Sequence, residues 1–236
     1  MLETDLFDLN HGEKFIVLNF NFEMASHKQI TRKFSALTET TVYDLQSVNG
    51  TVSDNEYDKL KLLGEKLKRY KIFYFDIPAN TNEILETVLY YQSKYPDHKI
   101  LNIFDHTRLL KRDKERDEYE VVTNLTKVGI ELKKKIGCSN IYLSQLNREI
   151  ENEKRLSNPN LHYPMRSDLF GSDALYQGCD FVFVVHRPAQ LQLQYYGPNN
   201  IPTQDLVAFH VLKNRDGEAG VIRMKDILKF NTIEEM

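Results

Sequence analysis

The sequence predicts an α/β fold built on a mainly parallel sheet with helices on both faces. Short runs of β-branched and aromatic residues recur along the chain, as buried strands require. Segments with apolar residues at helical spacing separate them. Strands that alternate with helices in this way pair in parallel and lay the connecting helices against the sheet. No linker of domain-boundary character breaks the order, so residues 1–236 read as a single domain.

Residues 14–22, KFIVLNFNF, form the first predicted strand. Residues 26–37 follow as a helix, with Ile30, Phe34 and Leu37 on one face and Ser26 as its N-cap. A second helix starts at Ser53; Tyr57, Leu60 and Leu67 predict its apolar face, and Gly64 weakens it. Residues 71–77, KIFYFDI, are the second strand, and residues 80–95 a helix carrying Ile84, Val88 and Tyr91. Residues 99–104, KILNIF, are the third strand, which ends at Asp105, and the charged stretch 107–117 is a loop. Residues 119–136 form a long amphipathic helix through Val122, Leu125, Val128 and Leu132. Its Lys133, Lys134 and Lys135 lie at the carboxyl end, where the macrodipole favours cations. Further strands follow at 140–143 and 181–185, and residues 206–212 and 220–224 make a closing pair. Residues 151–170 are the longest irregular stretch, and a loop of that length inside a compact domain is functional or mobile.

Composition sets the bounds. Apolar residues make up 41% of the 236, enough for a sizeable core. A formal net charge of -3 excludes a uniformly basic nucleic-acid coat but leaves room for a local basic strip. Cys138 and Cys179 make no disulfide framework and no metal cluster, and read as buried free thiols. No apolar run approaches the roughly 20 residues of a membrane span. Residues 1–10 are acidic and carry no signal-peptide pattern. The expectation is a soluble, cytoplasmic protein with no membrane partner.

In open parallel sheets, ligands bind beyond the carboxyl ends of the strands. The polar residues there are Glu23, then Asp105 and His106, then Ser144, Gln145 and Asn147, and finally Lys213, Asn214 and Arg215. Such a set suits nucleotide hydrolysis. One carboxylate can hold Mg²⁺ through water and another can polarise the attacking water. A glutamine can sense the terminal phosphate, and an arginine can neutralise charge in the transition state. Taken alone, Lys213 and Arg215 read as alternate residues of an exposed strand, and His106 and His186 as ordinary strand-end histidines rather than ligands.

At these residues the chain resembles the DnaB-like replicative helicases. Residues 20–37, FNFEMASHKQITRKFSAL, are similar to the segment after that family's phosphate-binding helix, where a strand ends in Leu-Glu-Met before a helix. SDNEYDKL (53–60) resembles the next helix, and KIFYFDIPANTNEI (71–84) the following strand and helix start. IYLSQLNREIE (141–151) closely resembles the family's Leu-Ser-Gln-Leu-Asn-Arg segment. Residues 167–188 are similar to its Ser-Asp-Leu-Arg-Glu-Ser-Gly stretch and the strand beyond. VLKNRDGEAGVIRM (211–224) resembles its Lys-x-Arg-Asn-Gly-x-x-Gly ending. The pieces occur in family order across nearly the whole chain.

The resemblance implies a RecA-like P-loop NTPase core and an ATP-dependent replicative DNA helicase motor domain. It implies a homo-hexameric ring around single-stranded DNA, with a primase or helicase loader as further partner. Glu23 is then the catalytic carboxylate that orients water. Asp105 supports Mg²⁺, by way of water. Gln145 senses the γ-phosphate. Lys213 and Arg215 act in trans on the neighbouring subunit's ATP. Two readings of another class stay open: a non-catalytic RecA-like interaction module, and a recombination-type RecA-fold ATPase.

The pattern also departs from the family. The chain contains no Gly-x-x-x-x-Gly-Lys-Ser/Thr; Gly12-Glu13-Lys14 lacks both the spacing and the context. Residues 1–236 are expected to begin just after the Walker A loop, with residues 1–15 as the tail of the helix behind it. ATP and Mg²⁺ are then expected only with that loop restored. A fragment or separately encoded piece, a truncated reading frame and a degenerate paralogue all fit. The family's Arg-Glu after Ser-Asp-Leu is here Phe170-Gly171, a divergence that suggests a phage-type member. The DNA-facing loop still offers Arg148, Lys154, Arg155 and Arg166 to a single-stranded backbone, with His162 and Tyr163 interleaved. A solvated loop neutralised by Glu149, Glu151 and Glu153 is the alternative there, and the favoured reading of 108–116.

Overall fold

The computed structural model describes residues 14–46, 52–115, 117–170 and 172–236. Residues 1–13, read above as the tail of a helix, lie outside the described residues, as do Arg116 and Gly171. The chain forms two compact units, Met1–Ser144 and Gln145–Met236.

The first unit carries a four-stranded sheet in the order β2-β1-β3-β4, parallel throughout. Its strands are β1 (Phe15–Asn21), β2 (Lys71–Phe75), β3 (Lys99–Asp105) and β4 (Ser139–Tyr142). Between them run α1 (Ser26–Thr38), α2 (Val42–Leu45), α3 (Asp54–Arg69), α4 (Thr81–Lys94) and α5 (Glu118–Ile136). Strand β1 is flanked on both sides, and Ile16 through Phe22 are all buried. Ile16, Leu18 and Phe20 share a core with Ile84 and Val88 of α4 and Val121, Leu125 and Leu132 of α5. The alternate residue Asn19 bonds to Gln29 of α1, so helices cover both faces, as period-2 alternation demands. Aromatic rings stack across the sheet at one level, Phe75 on Phe20 at 4.9 Å, Phe20 on Phe104 at 5.1 Å and Phe104 on Tyr142 at 5.2 Å. All three pairs are also backbone partners in the sheet register. Each such contact contributes about 0.5–1.5 kcal/mol beyond its buried area. Gly129 of α5 makes room for this layer, because a Cβ there would sit 1.8 Å from the Tyr142 hydroxyl.

The helix starts follow the sequence chemistry with one exception. Ser53 and Glu56 form a reciprocal capping box on α3, and Asn80 and Glu83 another on α4. Helix α1 departs from expectation. Ser26 is its first residue, the cap position is Ala25, and no side chain there caps the helix. Asp76, from the end of β2, accepts the Ser26 NH and takes over the task. Its inward face is also shifted: Ser35 is fully buried, whereas Leu37 is exposed. The predicted apolar face of α3 fails at Tyr57, which is 64% exposed, since that helix lies on the surface and none of its described residues is buried.

The second unit holds α6 (Glu153–Leu156), α7 (Ser172–Gly178), β5 (Phe181–His186), β6 (Tyr195–Tyr196), β7 (Ile201–Pro202), β8 (Leu206–Asn214), β9 (Gly220–Ile227) and β10 (Thr232–Glu235). Its main sheet runs β10-β9-β8-β5, antiparallel throughout. The fifth strand therefore pairs antiparallel with β8 rather than extending a parallel alternation. The expected closing pair forms as β8 and β9. A small core of Tyr196, Leu206 and Ala208 lies under Tyr163 and Ile201. Tyr163 lies against Gly197, where φ is +71° and a Cβ would meet the ring at 2.3 Å. Cys138 is buried as expected; Cys179 is only half-buried, just past the end of α7. Among the described residues no helix is long and apolar enough to cross a membrane.

Candidate functional site

Strands β1 and β3 end side by side, with Asn21 paired to Asp105. The backbone NH groups of Phe22 and Glu23 donate to the Asp105 carbonyl at 2.7 and 3.4 Å, so Glu23 leaves the sheet next to Asp105. The Asp105–His106 peptide bond is cis. The Glu23 side chain is 56% exposed, and its Oε2 lies 3.5 Å from His106 Nε2. Burial pushes the Asp105 carboxyl above the usual carboxylate range, and the Glu23 charge adds to the push; His106 and Arg32 oppose it. One carboxylate thus faces solvent, where it can orient a water. The other is half-buried beside a like charge, a setting that a cation relieves.

A side-chain network absent from the sequence reading holds these acids. Gln29 Nε2 donates to Asn21 Oδ1 at 3.0 Å and to Asp105 Oδ2 at 3.3 Å. Its own oxygen accepts from Asn19 Nδ2 at 3.1 Å. Asn21 Nδ2 donates to Asp76 Oδ1 at 3.2 Å, and Asp76 Oδ2 accepts from the Ser26 NH and hydroxyl. Asn19 and Asn21 are almost completely buried. Two asparagines inside an otherwise apolar strand were the available signal, since a buried amide must find partners.

A metal fits here in a restricted sense. Among the described residues no group of three or more His, Cys, Asp or Glu is arranged to hold an ion. Asp105 offers one carboxylate, which matches the way Mg²⁺ is held, by one or two carboxylates and water with the remaining positions on substrate phosphates.

In the second unit, Gln145 is exposed, and its carbonyl accepts the Phe170 NH at 3.1 Å, which closes the 145–170 loop. Lys213 and Arg215 come together at the end of β8. Lys213 Nζ donates to the carbonyls of Tyr176 at 2.6 Å and Gln177 at 3.2 Å, at the negative end of α7. Arg215 pairs with Asp180 at 2.8 Å while remaining 55% exposed. Arg148 and Lys154 are exposed. Arg166 bonds Asp173 at 2.8 Å and lies over the Tyr176 ring.

Arg155 corrects the expectation of a DNA contact. It is buried, and its guanidinium donates to Asp168 at 2.6 Å, to the Leu161 carbonyl at 3.1 Å and to the Tyr163 carbonyl at 2.9 Å. Three of its five N–H groups hold the loop together, and its burial keeps the guanidinium from a phosphate. His162 is likewise internal: one ring nitrogen lies 3.0 Å from the Leu156 carbonyl and the other accepts the Gly197 NH. His186 is buried against the Tyr196 hydroxyl. His106, read as an ordinary strand-end residue, instead faces Glu23.

A parallel sheet with helices on both faces and adjacent acids at its carboxyl ends is the core of a RecA-like fold. The model for the DnaB-like helicase C terminal domain matches residues 4–235, and the chain belongs to that family. Two solved structures share the fold. One is a DnaB-like replicative helicase, described together with its interactions with primase: TM-score 0.79, 19% identity, 94% of this chain and 52% of that one. The other is described as an ATPase domain, with TM-score 0.81, 19% identity, 99% of this chain and 78% of that one. The chain thus spans about half the length of the first structure. A search of curated proteins finds no match.

Proposed function

We propose that residues 1–236 work as one motor domain of an ATP-driven replicative helicase, a hexameric ring that translocates on single-stranded DNA in the cytoplasm. The observation that carries this reading is the seating of Glu23 beside Asp105 at the ends of neighbouring strands. In this reading Glu23 orients the attacking water, and Asp105 holds a water of Mg²⁺. When bound with ATP, the ion neutralises charge developing on the phosphates. Gln145 senses the γ-phosphate. Lys213 and Arg215 reach the ATP of the neighbouring subunit. Arg148, Lys154 and Arg166 attract the DNA backbone, and a primase or loader binds the ring. The family favours this reading over a recombination ATPase or a non-catalytic module.

Residues 1–236 contain no phosphate-loop sequence, so the test supplies one, on the same chain or as a second polypeptide. Subunits carrying Glu23→Gln are mixed with subunits carrying Arg215→Ala, and ATPase is followed across mixing ratios. Each variant alone is nearly inactive. Mixtures regain activity, because some interfaces pair an intact Glu23 with an intact Arg215 from next door. Full activity of an Arg215→Ala ring removes the arginine from the chemistry.

A further inference from the structure

We propose that His106 is a positioning residue for Glu23: its ring presents a fixed N–H that holds the carboxylate in one orientation. The proposal rests on the reading of Glu23 as the group that orients water, and deepens it. The backbone at Glu23 is fixed, because the Phe22 and Glu23 NH groups both donate to the Asp105 carbonyl. The side chain has no such restraint of its own. It is 56% exposed, and among the described residues no side chain other than His106 bonds its carboxylate. A base free to swing is seldom aimed at its water, and a base held in place gains by proximity and orientation.

The structure fixes His106 firmly enough to supply that restraint. The residue is buried and follows β3 directly. It stands at the cap position of the short 3₁₀ turn Thr107–Leu109, where its Nδ1 accepts the Arg108 NH at 3.3 Å. The segment is also fastened to the end of β4. The Thr107 NH donates to the Leu143 carbonyl at 3.1 Å, and the Leu143 NH donates to the Phe104 carbonyl at 3.0 Å.

The cap also decides which ring nitrogen can donate. An Nδ1 that accepts a backbone NH bears no proton, so the ring proton is on Nε2. Nε2 is the nitrogen that lies 3.5 Å from Glu23 Oε2. One backbone NH therefore selects the tautomer whose donor faces the carboxylate. The contact is long for a hydrogen bond, as contacts to a general base are before substrate closes the site. A base oriented by a third group, itself held by the fold, is the arrangement that water activation needs.

Two substitutions separate the two tasks of the ring. His106→Asn keeps an acceptor for the Arg108 NH and a good cap residue, but its amide is too short to reach Glu23. His106→Gln puts an amide nitrogen close to where Nε2 stands and gives up the cap. In the 236-residue chain, ring ¹⁵N shifts are expected to place the His106 proton on Nε2. Relaxation of the Glu23 methylene carbons shows order lost in His106→Asn and kept in His106→Gln. Urea unfolding runs the other way, with stability lost in His106→Gln alone. With a phosphate-loop segment supplied, kcat falls by about tenfold to a hundredfold in His106→Asn at unchanged KM, and recovers in His106→Gln. In a Glu23→Gln background His106→Asn costs nothing further, because the two residues act as a unit. A ring proton on Nδ1, or Glu23 order indifferent to His106→Asn, overturns the proposal. So does a kcat that follows stability and is lower in His106→Gln than in His106→Asn, the mark of a merely structural role. A Glu23→Gln protein that hydrolyses at the wild-type rate removes the reading of Glu23 and the proposal with it. An inactive Glu23→Gln beside an unimpaired His106→Asn overturns the positioning role alone.

Discussion

Ser26 meets the Asp76 carboxylate twice, through its backbone NH at 3.0 Å and its hydroxyl at 2.9 Å. The other Asp76 oxygen accepts from Asn21. Glu23 lies between Asn21 and Ser26 in the chain, so one carboxylate pins both ends of the turn that carries it. Burial works to raise the Asp76 carboxyl, but the bonds from Ser26 and Asn21 outweigh it and hold the group below the usual range. Asp76→Ala uncaps α1 and costs about 1–2 kcal/mol in urea unfolding. Asp76→Asn, which keeps an acceptor oxygen, loses less. A lowered carboxyl contributes stability above its unfolded pKa and loses it as pH falls through the folded value. The gap between wild type and Asp76→Ala therefore closes in acid.

Glu23→Gln is expected to stabilise the fold while removing the group assigned to chemistry. Burial first, and the Glu23 charge second, raise the Asp105 carboxyl. A raised carboxyl favours the folded state in acid, and that advantage is lost as pH rises through the folded value. Neutralising Glu23 removes one cause. Asp105 then titrates lower by carboxyl ¹³C shift, and stability at neutral pH rises by under about 1 kcal/mol, since Glu23 is largely solvated. A loss of stability contradicts the coupling.

The Arg155–Asp168 pair is buried on both sides, at 9% and 1% side-chain exposure. Removing one partner strands the other charge, so Arg155→Met or Asp168→Ala costs about 3–5 kcal/mol in urea unfolding. Arg155→Lys does not restore it, because one ammonium cannot reproduce a fork that serves three acceptors. Arg148→Ala, by contrast, leaves stability unchanged within about 0.5 kcal/mol.

The difference between those two arginines marks where sequence reading stops. Strand and helix positions in the first unit follow from periodicity, because buried strands such as residues 15–21 and helices such as α5 carry their pattern locally. Glu23 and Asp105 were legible because each ends an apolar run. Arg155 and Arg148 look alike in sequence; only the fold shows that Asp168, thirteen residues on, takes one of them. Gln29 and Asp76 gave no positional signal, since their partners lie on other elements. Strand β5 has the same apolar character as the parallel strands, and its antiparallel pairing with β8 is set by tertiary partners. The strands β6 and β7 are two residues each, too short for any period.

The Tyr196 hydroxyl lies 2.6 Å from His186 Nδ1 and 2.8 Å from His210 Nε2. It donates to one ring, which must be unprotonated on that nitrogen, and accepts an N–H from the other; burial disfavours the charged form of both. Burial, before any neighbouring charge, lowers each to about 4 from 6.5. Below pH 6.5 the unfolded chain takes up protons that the folded chain refuses. Stability is therefore full above that value and falls as pH drops toward 4, by up to about 1.4 kcal/mol per pH unit for each ring. Urea unfolding between pH 7.5 and 4.5 checks the slope, which is about twofold steeper than for one ring. Folded-state ring signals that titrate near 6.5 contradict the assignment.

In the proposed motor, Glu23 acts on water in nucleotide hydrolysis while Asp105 serves the metal. The direct measurement is ATPase and Mg²⁺-nucleotide affinity of the chain joined to a phosphate-loop segment, with and without Glu23→Gln. Hydrolysis is expected to fall by about 10² or more with nucleotide affinity retained, whereas Asp105→Asn loses both. Hydrolysis at the wild-type rate in Glu23→Gln contradicts it.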